Sequence, residues 1–331
     1  MRKSILIFLL FITCFPCSIK AQNWTKANGI NTDICITTFV ENSGKIYAGG
    51  QRMWREGTIQ MPKFLSEPKL FESVDCGKTW KELVFSPNEN STAIAIIISG
   101  DRIITCGRKG QSQIDWIGST QFSDDFGKSW NEATGIPSDV SISQLRKNNA
   151  NKLIAFGQRM WREGTTFYSD PKAYVSEDNG STWSEYITIT KELSSVSEAY
   201  ISPNRVIVAG RKGQTQVDWI GAVYFSDNNG NNWIEAKGIP SDISVSNIIE
   251  HKGKLIAVGN KMWREGFAFL SKAKSFISED NGANWKEYIV ITDDISTAQA
   301  TIIKDGFMLI SGRLGQAEVD WKGGLLFSPV N

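Results

Sequence analysis

The chain has a single histidine, His251, in 331 residues. Ser-His-Asp triads and His-rich metal sites are thereby nearly excluded. Cysteine is sparse too. Cys14 and Cys17 lie in an apolar N-terminal stretch, and only Cys35, Cys76 and Cys106 remain beyond it. An odd count without close pairing gives neither a disulfide framework nor a zinc spacing, so no metal and no cofactor is expected. Neither sign of charge dominates, the formal net charge being +1. That removes the electrostatic footprint of a nucleic-acid binder. Past the N-terminus no apolar run is long enough to span a membrane. The low hydrophobicity of a disordered chain is also missing: 41% of residues are hydrophobic and 12 are tryptophan, enough for a large core.

The N-terminus reads as an export signal. Arg2 and Lys3 precede "SILIFLLFIT", and Ser18 to Ala21 offers a small-residue cleavage site. Residues 1–21 are therefore expected to be removed, leaving 22–331 as one domain, secreted or in the periplasm or at the cell surface. Loss of Arg2, Lys3 and Lys20 takes the net charge to about −2. A monomer is expected.

The rest of the chain is repetition. "SVDCGKTW", "SDDFGKSW", "SEDNGSTW", "SDNNGNNW" and "SEDNGANW" follow one rule, Ser-x-Asp-x-Gly-x-x-Trp, with Asn228 in place of Asp once. Their tryptophans, Trp80, Trp130, Trp183, Trp233 and Trp285, lie 50, 53, 50 and 52 residues apart. Alternating apolar runs flank each turn, and some fifty residues hold four short strands, one propeller blade. A sixth copy is split between the ends. "GLLFSPVN" aligns with "AVYFSDNN", and "NWTKANGI" aligns with "SWNEATGI", so Trp24 supplies the last tryptophan. The expected architecture is all-β: a six-bladed β-propeller of four-stranded antiparallel blades, closed by an N-terminal strand in the last blade.

These turns are Asp-boxes, and the chain resembles the Asp-box β-propellers of the sialidase-like superfamily over essentially all of its expected mature length. In the boxes Ser and Asp are expected to bond turn backbone, and Trp to pack between blades.

A longer period sits above the blade. "GQRMWREG" occurs from Gly50 and from Gly157, and "GNKMWREG" from Gly259. Between them fall "GRKGQSQIDWIG", "GRKGQTQVDWIG" and "GRLGQAEVDWKG", 103 and 102 residues apart. The chain is thus three two-blade repeats. Each motif begins where a blade's second strand ends in Gly plus a polar residue, so all six are expected as loops on one face, opposite the Asp-boxes. The resemblance implies that this is the functional face, since sialidase-like proteins hold their boxes away from the active site.

The candidate ligand-binding residues follow. Odd blades give Arg52, Trp54, Arg55 and Glu56; Arg159, Trp161, Arg162 and Glu163; and Trp263, Arg264 and Glu265 with Lys261. Even blades give Arg108, Gln111, Asp115 and Trp116; Arg211, Gln214, Asp218 and Trp219; and Arg313, Gln316, Asp320 and Trp321. Planar tryptophan beside charged and amide groups suits a sugar. The ring stacks on the C–H face while polar groups bond hydroxyls or clamp an acidic substituent. The structural alternative is that Trp wedges the blades and Arg–Glu pairs staple the loops.

The resemblance also implies an exo-glycosidase acting on an acidic sugar, with Arg108, Arg211 and Arg313 as anion grip. Against it, the Phe/Tyr-Arg-Ile-Pro motif of sialidases is absent, and the arginines repeat three-fold where a sialidase site is asymmetric. Nothing in the sequence marks one copy as special, so a catalytic pair of differently tuned carboxylates is not evident. Three near-equal copies suit a secreted, lectin-like binder of a glycan or acidic sugar, with up to three sites at odd–even blade junctions gaining avidity. The third copy is expected to be weakest, because Lys261 and Leu314 depart from the pattern. A protein-binding scaffold is the remaining alternative.

Overall fold

A computed structural model describes residues 23–58, 62–110, 117–148, 150–164, 166–214, 220–266, 268–289, 291–316 and 322–330. The expected export signal lies outside them. Among the described residues no helix is long and apolar enough to cross a membrane.

Six sheets of four antiparallel strands form a propeller. Blade one comprises Ile34–Asn42, Lys45–Gly57, Pro62–Ser73 and Lys81–Leu83, and blades two to five repeat this order. In blade six, Ile295–Lys304, Phe307–Leu314 and Lys322–Pro329 are joined by Thr25–Lys26 as the outer strand. Thr25 pairs with Phe327 and Lys26 with Leu326. The ring closes as the aligned chain ends predicted.

Six apolar clusters fill the six joints between blades, and each holds one repeated tryptophan. Trp80, Trp130, Trp183 and Trp285 are core members, while Trp233 and Trp24 pack against their clusters from the edge. Burying so large a ring at each joint contributes a major share of the cohesion between blades.

The Asp-box turn has a local cause. In "SEDNGSTW", Asn179 and Gly180 both take positive φ, 58° and 92°, which glycine tolerates best and asparagine better than most residues. The Ser176 hydroxyl donates to Asp178 at 2.8 Å and accepts from the Gly180 N–H at 2.8 Å. Asp178 accepts from the Thr182 N–H and hydroxyl at 2.9 and 2.7 Å. The Trp183 indole N–H reaches the Gly180 carbonyl at 3.0 Å. Partial burial raises the Asp178 pKa, but these bonds outweigh it and bring it down to about 2.

Every inner strand carries a bulge, between Ile36 and Thr38 in blade one and between Val196 and Glu198 in blade four, for example. Several bulge hydroxyls bond the next blade: Thr37 to the Ala93 carbonyl at 3.0 Å, Ser143 to Val196 at 2.7 Å and Ser197 to Val245 at 2.7 Å. The second strand must approach this bulge closely. A Cβ on Gly157 would lie 2.0 Å from the Ser141 carbonyl oxygen, which explains the glycine that opens the motif.

Candidate functional site

The odd-blade motif is strand rather than loop. The second and third strands run on as a long hairpin, pairing Trp54 with Leu65, Trp161 with Tyr168 and Trp263 with Leu270. The sequence Gln-Arg-Met-Trp-Arg-Glu has no turn former until its closing glycine, so pairing continues to that residue. Strand alternation then puts Trp and the Glu two residues on along one side. Trp54, Trp161 and Trp263 each donate their indole N–H to that glutamate, at 3.1, 3.0 and 2.9 Å.

The motif cations are also engaged. Arg52 and Arg159 donate to Asp33 and Asp139, both at 2.6 Å, and Lys261 meets Asp242 at 3.1 Å. These aspartates were absent from the sequence-derived set, although "TDI", "SDV" and "SDI" precede the odd blades at equivalent places. Arg162 and Arg264 cap their own turns, donating to the Gly164 and Gly266 carbonyls at 2.7 and 2.9 Å. Arg55 is exposed.

In the even blades, Gln214 and Gln316 hold the hairpins. The Gln214 amide accepts from the Ser169 N–H and donates to the Ser169 carbonyl, each at 2.9 Å. Gln316 grips Ser271 in the same way, at 2.9 and 2.5 Å. A side-chain amide thus imitates a strand rung and locks an odd hairpin to the following blade. Gln111, Asp115, Trp116, Asp218, Trp219, Asp320 and Trp321 lie outside the described residues.

Arg108, Arg211 and Arg313 behave differently. Each stands near the end of the second strand, opposite Thr92, Ser195 and Thr297 respectively. In two odd blades this place is held by amides that bond the next blade: Gln158 accepts from the Val196 N–H at 3.4 Å, and Asn260 from the Ala298 N–H at 2.5 Å. Arg108 and Arg211 are half-buried with their Nε atoms fully so, and neither Nε has a hydrogen-bond partner. Among the described residues neither guanidinium meets a carboxylate. Burial pulls both pKa values below the ordinary arginine range.

Two features had no counterpart in the sequence reading. Glu198 is fully buried on the inner strand of blade four, paired with Arg146 of blade three and accepting from Asn247 of blade five at 3.3 Å. Burial pushes its pKa up against the pull of Arg146. It breaks the three-fold repetition, since its register places it level with Ala95 and Ala300 in blades two and six. The second feature is a set of rim grooves. One of about 680 Å³ lies between blades one and two, lined by Trp54, Glu67, Lys69, Glu82, Val84 and Asn90 among others. One of about 230 Å³ follows blade three, beside Asp170, Lys172, Glu185 and Tyr186. A third, of about 480 Å³, adjoins Trp24, Asp293 and Leu314.

The buried thiols offer no nucleophile. Burial pushes the pKa values of Cys35 and Cys106 up to about 12.

This architecture defines the class: a six-bladed β-propeller with the fold of the sialidases. No family model matches the chain. It is 23% identical over 274 residues to a curated sialidase of Paraclostridium sordellii, covering 72% of this chain and 66% of that protein. Among solved structures it superposes on a protein of unknown function from Dyadobacter fermentans with a TM-score of 0.66 at 15% identity, covering 92% of this chain and 99% of that one. Trypanosoma rangeli sialidase in complex with sialic acid gives a TM-score of 0.61 at 15% identity, over 95% of this chain and 58% of that one. The chain thus spans about two thirds or less of the length of these sialidases.

Proposed function

We propose that this protein is an exported, lectin-like propeller that binds acidic glycans through the face opposite the Asp-boxes. The carrying observation is the pair Arg108 and Arg211. A guanidinium removed from water is ordinarily matched by a carboxylate or another acceptor, because its desolvation is otherwise uncompensated. Here two equivalent arginines lack that match, and each offers a planar fork suited to a carboxylate or sulfate. Arg313 is the third equivalent position. The odd hairpins supply walls around these positions more than contacts of their own, since their Trp, Glu and cations are largely bonded to one another.

The carboxylates favour binding over hydrolysis. Glu56, Glu163 and Glu265 accept from tryptophan, and Asp33, Asp139 and Asp242 hold cations. Among the described residues the one carboxylate with a raised pKa is Glu198, sealed between Arg146 and Asn247 rather than facing a cleft. A glycosidase needs such a group where substrate can reach it.

A glycan array with carboxylated and sulfated sugars tests the reading. Wild type should retain acidic glycans, and Arg108→Gln combined with Arg211→Gln should weaken them at least tenfold while the fold persists, glutamine being native at this place in blades one and three. Undiminished binding would refute the assignment. The likeness to sialidases supports a hydrolase as second reading, and release of a fluorogenic aglycone from a sialoside would establish it.

A further inference from the structure

The three repeats are near-copies in sequence, yet blade two has a polar interior where blades four and six are apolar. Two residues before Thr92, Ser195 and Thr297 stand Asn90, Leu193 and Ile295. Opposite Thr105, Val208 and Ile310 stand Gln121, Tyr224 and Leu326. In blades four and six these positions belong to apolar clusters. In blade two they form a buried polar patch. The two Gln121 Nε2 hydrogens have four acceptors within reach: the Asn88 carbonyl at 2.7 Å, Glu132 at 2.9 Å, and Asn90 Oδ1 and Ser119 Oγ, both at 3.2 Å.

Asn90 Oδ1 faces this amide, and Nδ2 is the donor group of the side chain. Asn90 is only 8% exposed, and Nδ2 has no hydrogen-bond partner. Gln121 Oε1, Thr92 Oγ1 and Thr105 Oγ1 are likewise buried without partners. Buried donors and acceptors are nearly always matched, so four such atoms in one blade interior are exceptional, and of the four residues Asn90 alone borders a groove.

Asn90 lines the largest of the rim grooves, the one of about 680 Å³ between blades one and two. The rest of its lining is amphipathic. Trp54 and Val84 are apolar, and Val84, at 87% exposed, is the most exposed large apolar side chain among the described residues. Lys69 is held between Glu67 and Glu82, at 2.9 and 2.8 Å, leaving the trio with a net negative charge. The other grooves differ. Trp54 has the Arg52 guanidinium over its ring, 5.6 Å from the centroid, and borders the groove, whereas Trp161 is stacked on Tyr168, ring centroids 5.6 Å apart and planes at 19°, and does not line the groove after blade three. At the same rung blade one has Leu65 in place of Tyr168.

We infer that the groove between blades one and two is a binding site for a neutral pyranose unit, and that the corresponding joints of the other two repeats are not. A pyranose presents a C–H face to Trp54 and Val84 and hydroxyls at its edge, which donate to Glu67 and Glu82 and accept from Asn90 Nδ2 once that amide, closed off from solvent in the free protein, turns into the groove. The net negative charge of the trio disfavours an acidic sugar here. The site shares the glycan class with the reading above but uses none of its arginines, so either holds without the other.

Neutral oligosaccharides of glucose, galactose, mannose and N-acetylglucosamine are the probe, read by saturation-transfer NMR and calorimetry on the whole protein. Wild type is expected to bind at least one of them. Trp54→Ala should weaken it at least tenfold. So should Asn90→Leu, which copies the residue of blade four and is expected to preserve or raise the melting temperature. Trp161→Ala should leave affinity within twofold. Absence of binding to every member of the panel overturns the inference. So does unchanged affinity in Asn90→Leu, or an equal loss in Trp161→Ala. Acidic-glycan binding measured alongside, in Asn90→Leu and in the double arginine variant, separates failure of this site from failure of the arginine reading.

Discussion

The Asp-box turns and the Met-Trp-Arg-Glu-Gly hairpins are both repeated, both built around tryptophan and both largely satisfied by their own hydrogen bonds. They differ in burial. Trp183 is 5% exposed and seals a joint between blades, whereas Trp161 is 37% exposed at a hairpin that extends from the ring. The boxes hold the blades together, and the hairpins are scaffolding at the edge of the proposed binding face. Repetition therefore does not separate structure from function in this molecule. The binding chemistry we propose gathers where the repeats depart from self-sufficiency, at Arg108, Arg211 and Asn90.

The contrast can be broken most forcefully at the boxes. Trp183→Ala removes a buried ring from a close-packed joint and should cost about 3–5 kcal/mol, seen as a large fall in melting temperature. A loss as small as that of a surface substitution would show the boxes to be dispensable. Gln214→Ala should cost less, about 0.5–1.5 kcal/mol, because the two bonds it makes to the Ser169 backbone are exposed and water can replace them. Its signature is local: amide exchange should quicken around Ser169 with the remaining blades unaffected.

Acid should act on the boxes. The Asp178 pKa is depressed to about 2, and those of Asp75 and Asp280 are lowered as well. A depressed carboxylate contributes stability that is complete above its unfolded pKa near 4 and is lost as pH falls through the folded value. Denaturant titrations should thus show stability declining between about pH 4 and pH 2. Asp178→Asn should flatten that decline, and Asn228→Asp should steepen it. The smallest effect belongs to Glu163→Ala. Its bond to Trp161 is exposed, so the loss should be under about 1 kcal/mol by thermal melting. A larger loss would mean that the hairpin supports the ring.

Much of the fold was legible because it is written locally. Asn179-Gly180 codes its own positive-φ turn, the spacing of the box tryptophans counts the blades, and the alignment of "NWTKANGI" with "SWNEATGI" closes the ring. The site was less legible. Three copies of one motif look equal on paper, yet Glu56, Glu163 and Glu265 spend their acceptors on tryptophan two residues away. Asp33, Asp139 and Asp242 take up the cations from another strand. Leu193 and Asn90 differ by one side chain in a repeat, and only the neighbours of each reveal which is core and which is a donor without a partner.

The amino-acid sequence by itself determined that this protein is a ring of six four-stranded blades, because strand alternation, turn chemistry and repeat length act over tens of residues. Which polar residues are bonded within the ring and which are left without a partner was decided only in three dimensions. A hydrogen bond or a buried charge depends on what lies across the joint, and those partners come from blades far apart in the chain.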